Sequence, residues 1–373
     1  MKKSKIYAEI LELEALEQYN AVMAFPDVVQ GALMPDAHTG YVLPIGSVIA
    51  TEGTIYPSFV GYDIGCGVSA TKLDFDARDL KFIAQAFKYA IEQRIPVGFN
   101  KNNLKYEKIA ADAQFLLGDN YSDFLAEHVA YGPKCLGTLG GGNHFIEVGR
   151  DDKDGKTWII IHSGSRSIGH AVATKYMHLA AVQYCDGRKD ETASALSVDT
   201  QLGVNYITDL EWCLRFALLN RQLMSECVIS ILSNVLQSKI PVLQFINRNH
   251  NHAEQVGDRW IHRKGATHAD AGMFGVIPGN MRDGSFITIG KGNPESMNSS
   301  SHGAGRVMSR TQAKKLITMA DFDQSMRGIA APVDVKHIDE SPMAYKNIYE
   351  VMDLQKDLVD VVTHVTPLIN VKG

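Results

Sequence analysis

A glycine-rich stretch at residues 299–310, SSSHGAGRVMSR, could carry out chemistry through His302. Glycine has no Cβ atom, so a ligand can approach the backbone closely at the glycines beside this imidazole. A helix that begins near Gly305 would direct its N-terminus and the guanidinium groups of Arg306 and Arg310 toward one small volume, which suits phosphate groups. The stretch therefore predicts a nucleophilic or phosphate-handling histidine. A glycine-rich turn around a hydrogen-bonded histidine is the alternative.

A second group of side chains has the chemistry of metal ligands: Asp63, Cys66, His144, His162 and His250. Asp63 and Cys66 lie close together in a segment broken by glycines, and a carboxylate and a thiolate are both anionic donors. Five donors of such mixed type are more than one structural zinc site needs, so a two-metal centre with a bridging ligand is one hypothesis. A turn aspartate, a buried free cysteine and structural histidines are the alternative. Donor chemistry alone favours zinc or iron, because a thiolate is soft for manganese.

Strands must position these donors, and the histidines lie where strands are expected to begin or end. The apolar run at 158–161 is typical of a strand covered on both faces, and His162 follows it. The segment FIEV follows three glycines and predicts a strand in which His144 and Glu147 face opposite sides. His250 follows the strand-like segment VLQFIN. Because sheet enzymes usually bind ligands at strand ends, these positions favour a shared site.

The remaining pattern predicts the elements around these strands. Apolar residues at helical spacing predict helices at 5–25, 76–94, 100–129, 208–234 and 343–362. The run YVLPIGSVIAT predicts a strand at 41–51. Arg263 and Lys264, beside a glycine, either hold phosphate or form a solvated turn. The sequence has no internal repeat, low-complexity segment or clear linker, so a single compact α+β unit over 1–373 is the simplest organisation.

Composition and charge limit the possible functions. The chain has 373 residues, of which 45% are apolar and 21% charged, as in folded soluble proteins. Its formal charge of −5 argues against an indiscriminate nucleic-acid binder, although a local basic patch could grip a few phosphates. No apolar run reaches the ~18 residues of a membrane span, and no apolar signal segment follows the N-terminal lysines. The five cysteines lack paired short spacings, which predicts a reducing, cytoplasmic compartment.

Ordered motifs across most of the chain resemble those of one known family. From residue 34 to residue 373 they are MPDAHTG, GYDIGCG, LGTLGGGNHFIE, IHSGSRSIGH, NHNH, RKGA, PGNM, SHGAGRVMSR, PMAYK and a final VKG. Together they resemble the RtcB RNA ligases, the GTP- and manganese-dependent enzymes of tRNA splicing and RNA repair. The resemblance implies one α+β domain with central β-sheets, surrounding helices and a deep active-site cleft that contains metal.

Matched residue by residue, the resemblance implies roles for the candidate residues. The five metal donors would bind two manganese ions, with Cys66 as the bridge. His302 would take GMP from GTP. The resemblance also implies that Asn143, Glu147 and Asn251 line the same pocket and that Tyr345 and Lys372 contact the guanylate. It implies further that Arg306 and Arg166 face phosphates and that Asp36 lies near the active site.

The reaction implied by the resemblance joins two RNA ends. A 2′,3′-cyclic phosphate is first opened to a 3′-phosphate. His302 attacks the α-phosphorus of GTP, the RNA 3′-phosphate then accepts GMP to give an RNA-3′-ppG end, and a 5′-hydroxyl finally displaces GMP. The implied partner is RNA with these ends. Whether an archease-like activating protein is also needed is left open.

Departures from the family pattern concern the surroundings of the site rather than its reactive groups. The segment PGNMRDGSF places Arg282 and Asp283 where guanylate or RNA phosphate is expected to lie, and SSS precedes His302. These changes predict an altered choice of RNA rather than lost chemistry. A metal-dependent phosphoesterase and a non-catalytic RNA-binding protein are the competing hypotheses. Tyr345 and Lys372 favour the ligase, because hydrolysis needs no guanylate pocket.

Overall fold

The computed structural model describes residues 2–102, 117–183 and 193–373. In these residues the chain is a mixed α+β structure with two main β-sheets and helices around them, as the sequence predicts. Cys185 and residues 103–116 of the helix expected at 100–129 lie outside the described residues.

The smaller main sheet holds the N-terminal strands. Its strands are β1 (Lys3–Ile6), β2 (Val28–His38), β3 (Ile45–Glu52), β10 (Asn251–Val256) and β11 (Arg259–Lys264). Their order is β1-β2-β3-β11-β10, and all pairs are antiparallel except β1 with β2. Two small pairs of strands flank it: β4 (Thr54–Ile55) with β8 (Leu196–Ser197), and β12 (Ala266–His268) with β15 (Ser299–Ser301).

The larger sheet holds the centre and the C-terminus of the chain. Its strands are β5 (Gly67–Asp76), β6 (Phe145–Asp151), β7 (Lys156–Ser163), β9 (Val242–Asn249), β13 (Phe274–Pro278), β14 (Ser285–Gly290) and β16 (Val359–Lys372). Among the described residues the order is β13-β14-β16-β6-β7-β5-β9, antiparallel throughout. The first and last strands contact each other, and Arg248 Nε donates to Phe274 O at 3.1 Å. The sheet therefore curls toward a closed barrel.

Helices cover the outside of the sheets. Within the described residues they are α1 (Leu13–Met23), α2 (Pro57–Val60), α3 (Ala84–Arg94), α4 (Asp123–Val129), α5 (Gly132–Cys135), α6 (Arg166–Val182), α7 (Gln201–Leu236), α8 (Arg310–Leu316), α9 (Met319–Ser325) and α10 (Ile348–Asp353). Short 3₁₀ turns span Ala77–Phe82, Pro294–Ser296, Val335–Glu340 and Pro342–Ala344. None of the helices in this part of the chain has the length and apolar character needed to cross a bilayer.

The two faces of β7 belong to different cores, which confirms the strand predicted from its continuous apolar run. Ile159 and Ile161 pack with residues of α3 and α7, including Met224. Trp158 and Ile160 point to the inner side of the curled sheet. Because side chains alternate along a strand, one run of isoleucines serves both cores.

A buried arginine ties α7 to the ends of three strands. The Arg221 side chain is fully buried, and Nη1 donates to Gly65 O at 2.9 Å and to Ser163 O at 2.8 Å. Nε and Nη2 each donate at 2.7 Å, to Asn247 Oδ1 and Asn249 Oδ1. Burial lowers the pKa of Arg221 to about 10, so the group stays charged at neutral pH. One guanidinium thus fixes the ends of β7 and β9 and the residues that lead into β5.

Several predicted helix and strand boundaries are wrong. The helix expected at 5–25 is the strand β1 followed by α1, and the helix expected at 76–94 starts as a 3₁₀ turn before α3. The helix expected at 343–362 is only α10, because residues from Val359 onward form β16 between β14 and β6. The strand expected from residue 41 begins at Ile45. The helix expected at 208–234 is confirmed as part of α7.

Replacing Arg221 by Met should lower the free energy of unfolding by about 3–5 kcal/mol, because two carbonyl groups and two amides lose a buried charged donor. Chemical denaturation monitored by circular dichroism measures the change. Gln222→Met, at the exposed neighbouring position of α7, is the matched control and should change stability by less than about 0.5 kcal/mol. A loss below about 1 kcal/mol for Arg221→Met would contradict the assigned role.

Candidate active site

The register of the larger sheet brings predicted metal donors to one edge. β5 begins at Gly67, which pairs with Ser163 at the end of β7 and with Asn249 at the end of β9. Because these strands are antiparallel, the start of β5 lies beside the ends of both neighbours. β6 likewise begins opposite the end of β7. This edge therefore holds Cys66, His144, His162 and His250.

The donor atoms form a continuous series of short contacts with Cys66 at its centre. Cys66 Sγ lies 3.4 Å from His144 Nε2 and 3.1 Å from His162 Nε2. On the first side, Asp63 Oδ2 lies 3.0 Å from His144 Nε2. On the second side, His250 Nε2 lies 3.3 Å from His162 Nε2. The structure thus brings all five predicted metal donors together.

Backbone carbonyl groups orient two of the imidazole rings. His144 Nδ1 lies 3.0 Å from Leu139 O, and His162 Nδ1 lies 3.2 Å from Asn143 O. These carbonyl groups accept from Nδ1, which leaves the Nε2 lone pairs for a ligand. Burial lowers the pKa of His162 and of His250 well below the usual value, so both rings are neutral. The donor set therefore fits divalent transition-metal ions.

His302 lies beside this donor series and is held by Asp36, whose side chain is fully buried. His302 Nδ1 lies 2.7 Å from Asp36 Oδ2. The same oxygen accepts from the backbone N–H groups of His302 at 3.1 Å and Gly303 at 3.2 Å. Burial opposes ionisation of Asp36, but the charge of the neighbouring His302 lowers the pKa of Asp36 below the usual value. With Nδ1 facing a carboxylate, the Nε2 lone pair of His302 is left for a reacting group.

The site opens into a cavity of about 380 Å³. This volume is in the range of small-molecule sites. The predicted site residues on its wall are Asp63, Cys66, Asn143, Glu147, His162, His250, Asn251, His302, Arg306, Tyr345 and Lys372. Asp36 and His144 contact wall residues directly. The ring centres of His250 and His302 are 4.7 Å apart, so the donor series and the reactive histidine share this cavity.

Arg166 is a predicted phosphate contact that is not among the described residues of the cavity wall. Its guanidinium covers Gly140, where a Cβ atom would meet Nη1 at 2.0 Å. Nε donates to Thr138 Oγ1 at 3.2 Å, and Nη2 donates to Gly98 O at 3.1 Å. In this structure Arg166 supports the glycine turn that leads to His144.

Glu340 is a site residue that the sequence analysis missed. Its carboxylate is 2% exposed and accepts from Lys372 Nζ at 2.6 Å and from Tyr345 OH at 2.7 Å. Its second oxygen accepts from Arg310 Nη1 at 2.6 Å and Arg306 Nη1 at 3.4 Å. Burial opposes ionisation, but the charges of Lys372 and Arg310 hold the pKa of Glu340 at about 2. In the sequence, Glu340 is marked only by belonging to the acidic pair before SPMAYK, and a solvated acidic pair on a protein surface has the same pattern.

The helix expected near Gly305 begins instead at Arg310. Gly305 has a φ of +73°, and a Cβ atom there would meet Asp36 O at 2.2 Å, so glycine is needed for this close approach. The Arg306 guanidinium lies 4.9 Å from the ring centre of Tyr345. Both arginines are therefore positioned by acidic and aromatic partners, and not by a helix N-terminus.

Two further wall residues have distinct environments. Glu147 is 2% exposed and accepts from Ser285 Oγ at 2.9 Å. Burial raises the pKa of Glu147 to about 8, so its carboxyl group is mostly protonated at neutral pH. Asn251 accepts from Gly265 N at 2.8 Å and donates to Asp63 O at 3.2 Å. Asn251 thus fixes the segment that carries a metal donor.

A second group of possible metal donors contains His252, Glu254 and His268. Arg263 Nη1 lies 3.2 Å from His252 Nε2 and 3.3 Å from His268 Nε2, and it also contacts the Glu254 carboxylate. Arg263 Nε donates to Ser299 Oγ at 2.8 Å. A guanidinium therefore occupies the position of a cation in this group. Arg263 is 2% exposed, so the solvated turn considered for it is wrong.

Only the first part of the unusual turn PGNMRDGSF lies on the cavity wall. Pro278, Gly279, Asn280 and Met281 line it, whereas Arg282 and Asp283 are not among the described wall residues. Arg282 Nε donates to Asp283 Oδ1 at 2.7 Å, so the two charges pair with each other. Among the described residues this pair does not line the cavity, and its expected role near guanylate or RNA phosphate stays a prediction.

Replacing Glu340 by Gln should destabilise the protein by about 3–5 kcal/mol near neutral pH, because Lys372 and Arg310 lose a buried counter-charge. The folded pKa of Glu340, about 2, lies below its usual value of 4.5. This stabilisation is therefore present above the unfolded pKa and is lost as the pH falls toward 2. Guanidinium chloride denaturation across this range should show the wild-type advantage shrinking below about pH 4.5.

The exposed Glu350→Gln variant is the control for this change and should match the wild-type protein within about 0.5 kcal/mol at each pH. A Glu340→Gln deficit that stays constant with pH would contradict the assigned charge state.

Comparison with known proteins identifies one family. The profile described as tRNA-splicing ligase RtcB matches residues 18–373. RNA-splicing ligase RtcB1 from an Escherichia coli strain is 38% identical over 97% of this chain and 95% of its own length. RNA-splicing ligase RtcB of Escherichia coli K12 is 37% identical over 97% of this chain and 95% of its own length. tRNA-splicing ligase RtcB of Archaeoglobus fulgidus is 28% identical over 96% and 89%.

The matched region includes every candidate residue of the site, from Asp36 to Lys372. The resemblance seen in the ordered sequence motifs is thereby confirmed over nearly the whole chain. The chain belongs to the RtcB family of RNA-splicing ligases.

Proposed function

We propose that this chain is a GTP- and manganese-dependent RNA ligase that joins a 3′-phosphate or 2′,3′-cyclic phosphate end to a 5′-hydroxyl end. One observation carries the proposal. His302 has its Nδ1 atom 2.7 Å from the buried Asp36 carboxylate, while its ring lies 4.7 Å from that of His250 in the donor series. A histidine oriented in this way, beside anionic and imidazole donors, is arranged for nucleotidyl transfer.

In the first step, the Nε2 lone pair of His302 attacks the α-phosphorus of GTP. A P–N bond forms, the bond to the β-phosphate oxygen breaks, and pyrophosphate leaves. The proton on Nδ1 stays in place, and the negative charge of Asp36 balances the positive charge that the ring acquires. Asp36 is thus a positioning residue whose buried carboxylate selects the reactive nitrogen.

In the later steps the GMP group moves to the RNA. Water first opens a cyclic phosphate to a 3′-phosphate. An oxygen of that phosphate attacks the phosphorus on His302, the P–N bond breaks, and an RNA-3′-ppG end forms. The 5′-hydroxyl then attacks the RNA phosphorus, a phosphodiester bond forms, and GMP leaves with the electrons of the broken P–O bond. Histidine suits this role because its P–N bond is labile enough to pass the group on.

Asp63, Cys66, His144, His162 and His250 would hold two manganese ions. The central position of Cys66, with two donors on each side, supports its role as the shared ligand. When bound, the ions would neutralise phosphate charge and orient the reacting groups in line. The chain itself keeps His162 and His250 neutral through burial, which lowers the pKa of both rings and prepares them as ligands.

The wall around Glu340 supports a nucleotide site rather than a site for hydrolysis alone. Lys372 and Tyr345 are oriented by the same carboxylate, and both lie on the cavity wall. Glu147 adds a carboxyl group that can donate or accept a hydrogen bond, since burial raises the pKa of Glu147 to about 8. These groups would contact the guanylate. A phosphoesterase would need no such pocket.

The chemistry of the described cysteines supports a cytoplasmic location as part of the proposal. Cys66, Cys135 and Cys213 are buried free thiols. A thiol at the centre of the proposed metal site must stay reduced, which favours a reducing compartment.

Incubation with manganese and α-labelled GTP should place GMP on His302, because that ring is the oriented nucleophile of the cavity. The label is followed by denaturing electrophoresis, and the modified peptide is identified by mass spectrometry. His302→Ala should lose at least about 100-fold of the labelling rate. His337→Ala, away from the cavity wall, is the control. Label on another residue, or equal labelling of His302→Ala, would contradict the proposal. Hydrolysis of phosphates without any label would favour the phosphoesterase.

Replacing Cys66 by Ala should reduce manganese binding by at least about tenfold, because the series of donors loses its central member. Equilibrium dialysis with elemental analysis measures bound manganese per chain without reference to activity. Cys227→Ala, on α7, controls for the loss of a thiol elsewhere. Full manganese occupancy in Cys66→Ala would exclude Cys66 as a shared ligand.

A further inference from the structure

Tyr41 is a large aromatic side chain that stays exposed at the cavity. Its relative exposure is 64%, and it lies on the cavity wall together with His38 and His302. It belongs to the loop between β2 and β3, shortly after the segment that carries Asp36. This exposed ring shares the cavity wall with the reactive histidine and has no role in the steps derived above.

The Tyr41 loop is held in place by neighbouring elements. Gln18 Nε2 donates to Gly40 O at 2.9 Å, and Gly40 N donates to Gln18 Oε1 at 3.2 Å. Thr39 N donates to Glu12 Oε2 at 2.9 Å. The loop is thus tied to α1 and to the residue that precedes it. A ring presented by a fixed loop loses little conformational freedom when it binds a ligand.

Tyr41 is the outer member of a row of rings. Its ring centre lies 5.9 Å from that of Tyr62, with the planes nearly perpendicular at 89°. Tyr62 in turn stacks on His170, with ring centres 5.1 Å apart and planes 21° apart. Tyr62 also lies on the cavity wall and directly precedes the metal donor Asp63. The row therefore has exposed rings at both ends, Tyr41 and His170, and its middle ring, Tyr62, lies on the cavity wall.

We propose that Tyr41 and Tyr62 form a stacking platform for an unpaired base of the RNA, one or two nucleotides from the ends that are joined. This inference rests on the proposed RNA ligase function and adds a binding site to it. Aromatic rings stack on any base, so the platform would hold the strand with little sequence preference. Tyr345 and Lys372, the expected guanylate contacts, belong to the separate group around Glu340, which leaves the tyrosine platform for the RNA.

The charge pattern agrees with recognition through stacking. The chain has a formal charge of −5, so affinity for RNA must come from local contacts. Lys264 lies on the cavity wall and also lines the small pocket against Tyr41 and Tyr62. A cation beside aromatic rings is the usual combination for single-stranded nucleic acid. Two exposed or partly exposed tyrosines next to phosphate chemistry therefore fit a nucleobase better than a protein side chain.

The test compares ligation of normal RNA with ligation of RNA that carries one abasic nucleotide, placed in turn at each of the positions next to the joined ends. In the wild-type protein, removal of the stacked base at one position should raise the KM for RNA about tenfold. Tyr41→Ala should show the raised KM with normal RNA and no further increase with the abasic RNA. Tyr41→Trp should restore the dependence on the base. Tyr89→Ala, with 63% exposure on α3, is the matched control.

Two outcomes would overturn the inference. One is a KM for RNA that does not change in Tyr41→Ala. The other is an abasic effect that persists in Tyr41→Ala, since the base would then contact something else. Labelling of the wild-type protein by GTP without RNA separates this failure from failure of the proposed function. If His302 is labelled and Tyr41→Ala behaves as wild type, only the stacking platform is wrong. If no label appears, the ligase proposal itself fails.

Discussion

The contact between Asp36 and His302 joins two segments of the chain that lie far apart in the sequence. Asp36 lies on β2 of the smaller sheet, and His302 follows β15, which pairs with β12. The Asp36 carboxylate meets one ring nitrogen and two backbone N–H groups with a single oxygen. A buried carboxylate is costly unless it is paired in this way. The site is therefore stable only when both segments are in place, and the same pairing leaves Nε2 of His302 free to react.

The donor series depends on a different constraint, the register of the larger sheet. Gly67 allows the strands to approach closely, because a Cβ atom there would meet Arg248 O at 2.1 Å. A shift of one residue would turn the donors away from the site, since side chains alternate along a strand. Arg221 holds Gly65 O and Ser163 O from beneath, so the strand ends cannot separate freely. Through Arg221, the packing of α7 against the sheet thus also fixes the positions of the metal donors.

The sequence predicts the family and the clustering of the candidate metal donors better than the element boundaries. Ordered motifs identify the family, and the buried strand before His162 is confirmed because its apolar run is local information. The helix expected at 343–362 fails because β16 is specified by two neighbouring strands and not by its own spacing. Glu340 and Arg221 were not found because the burial of a charged residue depends on partners far away in the chain. The helix expected near Gly305 was misplaced for the same reason, because Arg306 and Arg310 are held on the cavity wall by Glu340, which is distant in the sequence.

A structure of the protein after reaction with GTP and manganese tests the central claim most directly. We expect a phosphorus atom bonded to Nε2 of His302, with Nδ1 still within hydrogen-bond distance of Asp36 Oδ2. We also expect metal ions on both sides of Cys66. Phosphorus bonded to Nδ1, or to a residue other than His302, would contradict the orientation that Asp36 imposes and the mechanism derived from it.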